Sequence, residues 1–376
     1  MRILAACVLS AAVWAGEPFL EKTDLFTAGT EGYALYRIPG IVVTTKGTVL
    51  AYCEARKGDR GDWGTIDILL RRSADGGKTW GPRMKIAAVE GPHRKNPVAL
   101  AQGLARPEDV TYNNPVAIVD RKTGAVHFLF NLEYMRAFYM RSDDDGRTFS
   151  KPVEITATFE EFRREYDWKV LATGPGHGIQ LSSGRLLVPV WLSTGTGGHA
   201  HRPSVVSVIH SDDRGRTWRR GEIAVPNTAE WVNPSETVPL ELADGRVMLN
   251  ARSESKAQRR LIIYSRDGAT GWSEPKFQPE LLEPICMGST VRLSKKPSQD
   301  RNRILFANPD NLGRADGKEV PGTGRDRRNL TVKLSYDEGA TWPVAKPLAA
   351  WRGDTISWLT AITMIFPSRP FWVALP

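Results

Sequence analysis

Three arginines stand at the ends of predicted β-strands, where side chains from separate strands can meet. Arg37 enters a first predicted hairpin, Arg252 leaves a later one, and Arg327 precedes the predicted strand Leu330–Leu334. A guanidinium group is planar and permanently charged, and it can donate two parallel hydrogen bonds to one carboxylate. A single arginine is more often a surface cation, and Arg328 is an immediate rival to Arg327. Three arginines that converge, however, would bind an anionic ligand.

Acidic side chains supply the candidates for proton transfer. Asp59 and Asp62 both lie in the glycine-rich segment Gly58–Asp67, and a flexible loop of this kind can carry an acid over a bound ligand and exclude water. Glu236 stands at the mouth of a predicted hairpin, 16 residues before Arg252. Carboxyl groups held against a reacting oxygen act as general acids or bases. These residue types are therefore suited to acid–base chemistry beside a bound anion.

A repeated motif of eight residues indicates the framework that positions these side chains. Ser-x-Asp-x-Gly-x-Thr-Trp begins at Ser73, Ser142, Ser211 and Ser335, with phenylalanine closing the second copy, and a degenerate copy begins at Ser265. The serine and aspartate side chains can bond nearby backbone N–H groups, glycine relieves the bend, and the aromatic ring packs onto the sheet. The motif lacks the acidic ligands of an EF-hand loop, so it predicts structural turns and not calcium sites.

Each motif follows a predicted strand, and a second predicted hairpin precedes that strand. The hairpin turns are Lys46-Gly47, Thr123-Gly124, Ser183-Gly184, Asp244-Gly245 and a longer turn between Thr290–Leu293 and Ile304–Ala307. Four short strands in about 60–70 residues make one propeller blade. The best helical candidate is Thr158–Tyr166.

The number of repeats predicts an all-β fold, a six-bladed β-propeller, and allows an incomplete last blade. Five units are visible in the sequence. The chain after Trp342 is expected to supply the inner strands of the sixth blade, and Lys22–Thr27 would close the ring against it. No linker divides the chain, so a single propeller domain is predicted over residues 16–376.

The motif Tyr36-Arg37-Ile38-Pro39, followed by these repeats, resembles the sialidase (neuraminidase) superfamily, and in particular bacterial-type exo-α-sialidases with Asp-box (BNR) repeats. The resemblance runs from Leu25 to Trp342. It implies that Arg37, Arg252 and Arg327 hold the carboxylate on the anomeric carbon of a terminal sialic acid. It also implies a retaining glycoside hydrolase that acts on sialylated glycoproteins, glycolipids or oligosaccharides and needs no cofactor or metal.

The resemblance assigns roles to the acids as well. Asp62, four residues before Ile66, matches the acid/base of the family, whereas Asp67 is expected to be a strand residue. Sialidases use a tyrosine nucleophile, because an attacking carboxylate would be repelled by the carboxylate of the substrate. A glutamate bonded to that tyrosine accepts its proton. Glu236 matches this glutamate, and Glu241 lies an odd number of strand positions away and points elsewhere.

The sequence departs from the family pattern at the nucleophile. The resemblance places the tyrosine shortly after Trp342, but Trp351–Ile362 contains none, and no tyrosine follows Tyr336. Ile356 and Ser357, near the expected position, cannot replace a phenolate. Residues 355–376 contain one charged side chain, that of Arg369, and this atypical tail is what a frame-shifted or truncated C-terminus would produce.

Three functional hypotheses therefore stay open. The first is an exo-α-sialidase, in which another tyrosine such as Tyr112 or Tyr264 would have to serve. The second is a catalytically impaired, sialic-acid-binding propeller that hydrolyses sialosides poorly or not at all. The third is a repeat propeller that binds proteins, which would not need the three arginines.

The remaining features concern export, thiols and histidines. Arg2 followed by the apolar stretch Ile3–Ala15 predicts a signal peptide over residues 1–15, too short to span a bilayer, and hence a secreted or periplasmic protein. Cys53 is expected in the core and Cys286 in a loop, without a disulfide framework or zinc site.

Composition and histidine placement exclude some partners. The formal net charge is +9, but no basic run or basic helix indicates nucleic acid, and a monomer is expected. His177 is a candidate for the wall of the pocket. His199 and His201 lack the further ligands that a metal site would need.

Overall fold

Five successive stretches of the chain each fold into a β-sheet. The computed structural model describes residues 22–58, 61–318, 320 and 322–349. The first sheet contains β1 (Leu35–Val43), β2 (Val49–Arg56), β3 (Ile66–Ser73) and β4 (Met84–Lys85). The second contains β5 (Tyr112–Val119), β6 (Val126–Leu132), β7 (Arg136–Ser142) and β8 (Val153–Glu154). The third contains β9 (Val170–Thr173), β11 (Ile179–Gln180), β12 (Leu186–Ser193), β13 (Ser204–Ser211) and β14 (Arg219–Arg220), while β10 (Gly176–His177) joins the second sheet beside β5.

The last two described sheets repeat this pattern. The fourth contains β15 (Thr237–Glu241), β16 (Val247–Ala251), β17 (Arg259–Ser265) and β18 (Lys276–Leu282). The fifth contains β19 (Ser289–Ser294), β20 (Arg303–Pro309), β21 (Leu330–Ser335) and β22 (Val344–Ala349). Paired strands within the sheets are antiparallel, except that β10 pairs parallel with β5, and both β9 and β11 pair with β12. The first strands of neighbouring sheets contact one another. The chain is thus an all-β propeller with five blades in the residues that the structure describes.

The predicted turn motifs are confirmed as structural elements. In the first copy, Ser73 Oγ accepts a hydrogen bond from Gly77 N at 2.8 Å and donates one to Asp75 Oδ1 at 2.8 Å. Asp75 in turn accepts bonds from the backbone N–H and the hydroxyl of Thr79, at 2.9 and 2.6 Å. The same serine–aspartate bond recurs at Ser142, Ser211, Ser265 and Ser335. These internal bonds occupy the polar groups of the motif.

The strand after Trp342 belongs to the fifth sheet and not, as the sequence predicts, to a sixth blade. The residues directly after Trp342 complete the fifth sheet as β22 and do not begin a new one. Lys22–Thr27 forms no strand in the described structure. Residues 355–376, the predicted signal peptide over 1–15, and the strands expected after Ala349 all lie outside the described residues, so a sixth blade stays a prediction.

Helices are short and few in the described part of the chain. They are α1 (Pro97–Ala101) and α2 (Thr156–Glu160), and a 3₁₀ turn at Glu161–Arg164 extends α2 across much of the predicted helical segment. None of them is long and apolar enough to cross a membrane. Cys53 lies buried in β2 and Cys286 lies buried in a loop, as expected, and they form no disulfide with each other.

Close packing beneath β1 fixes the strand that carries Arg37. A Cβ atom at Gly40 would lie 2.2 Å from the ring of Tyr52, so only glycine fits there. The Tyr52 hydroxyl accepts a hydrogen bond from Ala117 N at 3.0 Å and donates one to Gly176 O. The side chain of Tyr52 thereby connects β2 of the first sheet to β5 and β10 of the second.

Candidate active site

A pocket opens where strand ends and loops of several blades meet, and all five predicted site residues line it. They are Arg37 in β1, Asp62 in the loop between β2 and β3, Glu236 just before β15, Arg252 just after β16, and Arg327 before β21. The other lining residues are Ile38, Asn114, Tyr134, Trp191, His199, His201, Arg202, Ser204, Asn233, Ser235, Glu254 and Met287. The fold therefore gathers residues that are far apart in sequence into one polar, cationic site.

A β-bulge aims Arg37 into this pocket. The register of β1 against β2 shifts between Arg37 and Gly40, and Ile38 has a φ of 55°. A β-branched residue is an outlier in the left-handed region, and such strain is characteristic of functional sites. Arg37 Nη1 donates to Asp62 Oδ1 at 3.2 Å.

Asp62 is held by two arginines. Besides Arg37, Arg56 Nη1 donates to Asp62 Oδ1 at 2.8 Å, and Arg56 is itself bonded to buried Glu54 at 2.6 Å. Burial alone would raise the pKa of Asp62, but the charges of Arg56 and then Arg37 outweigh it and lower the pKa well below the usual range. Asp62 is therefore ionised without ligand. Asp59, its rival, lies outside the described residues.

A buried network holds the backbone of the Asp62 loop. Thr111 Oγ1 is 3.0 Å from Trp63 O and 2.7 Å from Gly64 O. Lys95 Nζ donates to Thr111 Oγ1 at 2.8 Å and pairs with Glu133 at 2.8 Å. Because both charges are almost fully buried and paired, this part of the loop is anchored.

Glu236 and Arg252 form a second, tight ion pair. Arg252 Nη1 donates to Glu236 Oε2. Burial disfavours the charge on Glu236, but the charge and the hydrogen bond of Arg252 prevail and lower its pKa. Glu241 points away as predicted, since its carboxylate accepts hydrogen bonds from Ser182.

Arg327 differs from the other two arginines. Its guanidinium donates to the backbone oxygen of Ile285 at 3.2 Å, and in the described structure no carboxylate pairs with it. Arg328 does not line the pocket and instead pairs with Asp326 at 2.7 Å. Among the described residues, Arg327 is therefore the one of the three arginines without a bonded carboxylate in the pocket.

Sequence reasoning missed an aromatic wall. Tyr134 and Trp191 line the pocket beside His201, and Trp63 backs them with its ring 4.5 Å from that of Tyr134. The His201 ring lies 5.1 Å from Tyr134 and 5.2 Å from Trp191. Burial lowers the pKa of His201 to about 4, so its imidazole is neutral at pH 7.

None of the described tyrosines is activated as a nucleophile in this pocket. Burial raises the pKa of Tyr134 well above its usual value, and the charges of Asp62 and Glu54 add to that effect, so its phenolate is disfavoured. Tyr112 and Tyr264, named as substitutes, do not line the pocket. Tyr112 instead accepts a hydrogen bond from Val89 N at 3.0 Å.

The histidine predictions are partly wrong. His177 does not line this pocket; it lies on β10 and faces a second cavity together with Gly178 and Thr290. His199 and His201, considered only as metal ligands, both line the candidate site. Asp67 is the strand residue expected, bonded to Tyr33 at 2.8 Å.

Comparison with known proteins identifies relatives of this arrangement. Residues 104–357 match the family of BNR repeat-like domains. The chain is 30% identical to the sialidase of Micromonospora viridifaciens over 88% of this chain and 49% of that protein, and 29% identical to the sialidase of Bacteroides fragilis over 84% and 55%. The chain therefore spans about half the length of these two curated relatives.

Solved structures agree with the sequence comparison. The Hadza microbial sialidase Hz136 superimposes with a TM-score of 0.67 at 27% identity, covering 86% of this chain and 60% of that one. The intramolecular trans-sialidase of Ruminococcus gnavus shares the fold with a TM-score of 0.65 at 16% identity, covering 87% and 88%. With its BNR repeats, its propeller and these relatives, the chain belongs to the sialidase superfamily.

Proposed function

We propose that this protein is a retaining exo-α-sialidase that removes terminal sialic acid from glycoconjugates, without a cofactor. The observation that carries the proposal is the convergence of Arg37, Arg252 and Arg327 on one pocket. Arg327 has no described carboxylate partner, so a ligand carboxylate would supply the missing negative charge. A protein-binding propeller would have no use for this cationic site.

In the proposed reaction Asp62 gives the leaving oxygen its proton. Without ligand, Arg37 and Arg56 keep Asp62 ionised. A substrate carboxylate bound at Arg37 would replace Asp62 as the partner of that guanidinium. It would also bring a negative charge close to Asp62. Both changes raise the pKa of Asp62 and favour its acid form.

Glu236 would serve as the base that takes the proton of a tyrosine nucleophile, and Tyr134 is the one tyrosine among the described residues that line the pocket. Its pKa is lowered by Arg252, so it is ionised and able to accept a proton. The contact between Glu236 and Arg252 supports this role, because Arg252 is one of the arginines proposed to bind the carboxylate. The aromatic wall of Tyr134 and Trp191 would contact the less polar parts of the sugar.

Asp62→Asn is expected to tighten the binding of DANA, the unsaturated analogue of sialic acid, by about tenfold. The substitution frees Arg37 and removes a negative charge that opposes the ligand carboxylate. Isothermal titration calorimetry at pH 7 measures the change. Asp67→Asn is the matched control, because Asp67 pairs with Lys85 outside the pocket. The affinity of this variant for DANA should equal that of the unmodified chain. Weaker binding to the Asp62 variant would show that Asp62 attracts the ligand.

A second candidate function is a sialic-acid-binding propeller without turnover. It is favoured by one observation, that no tyrosine follows Tyr336 in the sequence. A fluorogenic sialoside assay run beside a DANA titration separates the two candidates. Turnover with binding supports the sialidase, and binding without turnover supports the second candidate. If the chain neither binds DANA nor hydrolyses the sialoside, both candidate functions are contradicted.

The remaining expectations belong to the same proposal. We propose that chain beyond Ala349 contributes to a sixth blade, since the five described blades follow the repeat closely. We also propose that the protein is exported and works as a monomer. Light scattering of the purified protein tests the monomer, and fractionation of expressing cells tests export.

A further inference from the structure

A fully buried ion pair lies behind the pocket, between the fourth and fifth blades. Arg260 in β17 and Glu283 after β18 are 0% and 1% exposed, and Arg260 Nη1 donates to Glu283 Oε2 at 2.6 Å. Neither residue lines the pocket. Burying two charges costs desolvation energy that their attraction often fails to recover, so such a pair is weak evidence for a role in stability.

The pair holds the loop Glu283–Met287 by the backbone. Glu283 Oε1 accepts a hydrogen bond from Cys286 N at 2.9 Å, and Arg260 Nη1 donates to Cys286 O at 3.1 Å. Both backbone groups of residue 286 are thus bound to the two charges. The loop cannot shift without breaking charged hydrogen bonds inside the protein, where they are strongest.

This loop contacts Arg327. Ile285 O accepts the hydrogen bond of Arg327 Nη2, and Ile285 has a φ of 61°. A β-branched residue keeps that conformation only where its surroundings impose it. The anchored residue 286 follows directly, and Met287 lines the pocket. The geometry connects the buried pair to the arginine through one strained residue.

The pair also reaches the strand of Arg252. Arg260 Nε donates to Asn250 Oδ1 at 2.6 Å, and Arg260 Nη2 donates to Asn250 O at 2.9 Å. Asn250 lies two residues before Arg252 in the sequence. Arg252 is bonded to Glu236 and is also attracted by the charge of Glu283, whereas Arg327 donates its hydrogen bond to the loop itself.

We infer that Arg260 and Glu283 are positioning residues that set the place of the Arg327 guanidinium and thereby the affinity for the ligand carboxylate. The inference rests on the proposed function. It assigns the backbone of the loop Glu283–Met287 a role in ligand recognition.

The test is a double-mutant cycle measured with DANA by calorimetry, which separates the dissociation constant from the active fraction. Glu283→Leu should weaken binding by about tenfold, because a displaced guanidinium loses its paired contact. In an Arg327→Ala background the same substitution should have a much smaller effect, limited to the lost attraction between Glu283 and Arg252. Glu283→Gln retains an oxygen for Cys286 N and should restore most of the affinity, although Arg260 loses its counter-ion and the fold loses stability.

Two further variants keep the test decisive if Glu283→Leu does not fold. Ile285→Gly relaxes the positive φ, so it should fold well and yet bind DANA more weakly. Arg72→Met is the matched control, since it leaves the buried Asp145 without its cation but lies outside the pocket, and it should lower the melting temperature with no change in affinity.

The outcomes distinguish the inference from the proposed function. If the unmodified chain does not bind DANA, the proposed function and this inference fall together. If it binds DANA but Glu283→Leu weakens binding equally with and without Arg327, only the inference is wrong. Unchanged affinity in both Glu283→Leu and Ile285→Gly would also overturn it.

Discussion

Arg327→Ala is expected to weaken DANA binding by about 2–5 kcal/mol, the scale for removing one partner of a desolvated charge pair. No described carboxylate is bonded to Arg327, so its removal loses attraction for the ligand without breaking an ion pair of a described acid. Arg37→Ala and Arg252→Ala should reach the same range. Arg37→Ala also leaves Asp62 with one cation fewer, and Arg252→Ala also leaves Glu236 without its partner. In each variant the carboxylate that has lost its cation repels the carboxylate of the ligand.

Arg328→Ala is the control for this series. Arg328 is adjacent in sequence and equally charged, but it pairs with Asp326 and does not line the pocket. Calorimetric titration of the four variants should give a loss of affinity in three and none in Arg328→Ala. Unchanged affinity in all three pocket variants would remove the basis for a sialic-acid site.

Trp342→Ala is expected to lower the free energy of unfolding by about 3–5 kcal/mol and to leave the affinity for DANA unchanged. Trp342 is 4% exposed and packs edge-on against Phe306, with ring centroids 5.9 Å apart. Removing the indole would leave a cavity in the core of the fourth and fifth blades. Denaturant unfolding measures the loss.

Trp80→Ala provides the comparison within the same motif. Trp80 is only partly buried, and its indole nitrogen donates a hydrogen bond to Gly77 O at 3.0 Å. Trp80→Ala should therefore lower the free energy of unfolding by less than Trp342→Ala does. A Trp342 variant that lost ligand affinity at full stability would show that the repeated motif has a role in binding.

The sequence predicted well those features that depend on local repetition. The five turn motifs, with Ser73 and Asp75 as the first example, are bonded as their residue types require. The arginines and acids were found because each stands in a recognisable short motif. The choice of Arg327 over Arg328 agrees with the lining of the pocket.

The sequence could not predict features that depend on distant contacts. Tyr134 and Trp191 resemble ordinary core aromatics, and only the fold brings them beside His201. Arg56 looks like a strand residue, yet it controls the ionisation of Asp62. His177 was misplaced because strand β10 pairs with β5 and turns this side chain to the other cavity.

The most direct test of the proposed site is a crystal structure of the chain with DANA bound. The proposal predicts that the ligand carboxylate lies within about 3 Å of guanidinium nitrogens of Arg37, Arg252 and Arg327. It further predicts that Asp62 no longer contacts Arg37 and that the sugar ring faces the wall of Tyr134 and Trp191. A ligand bound elsewhere, or one in this pocket whose carboxylate contacts none of the three arginines, would contradict the proposed function.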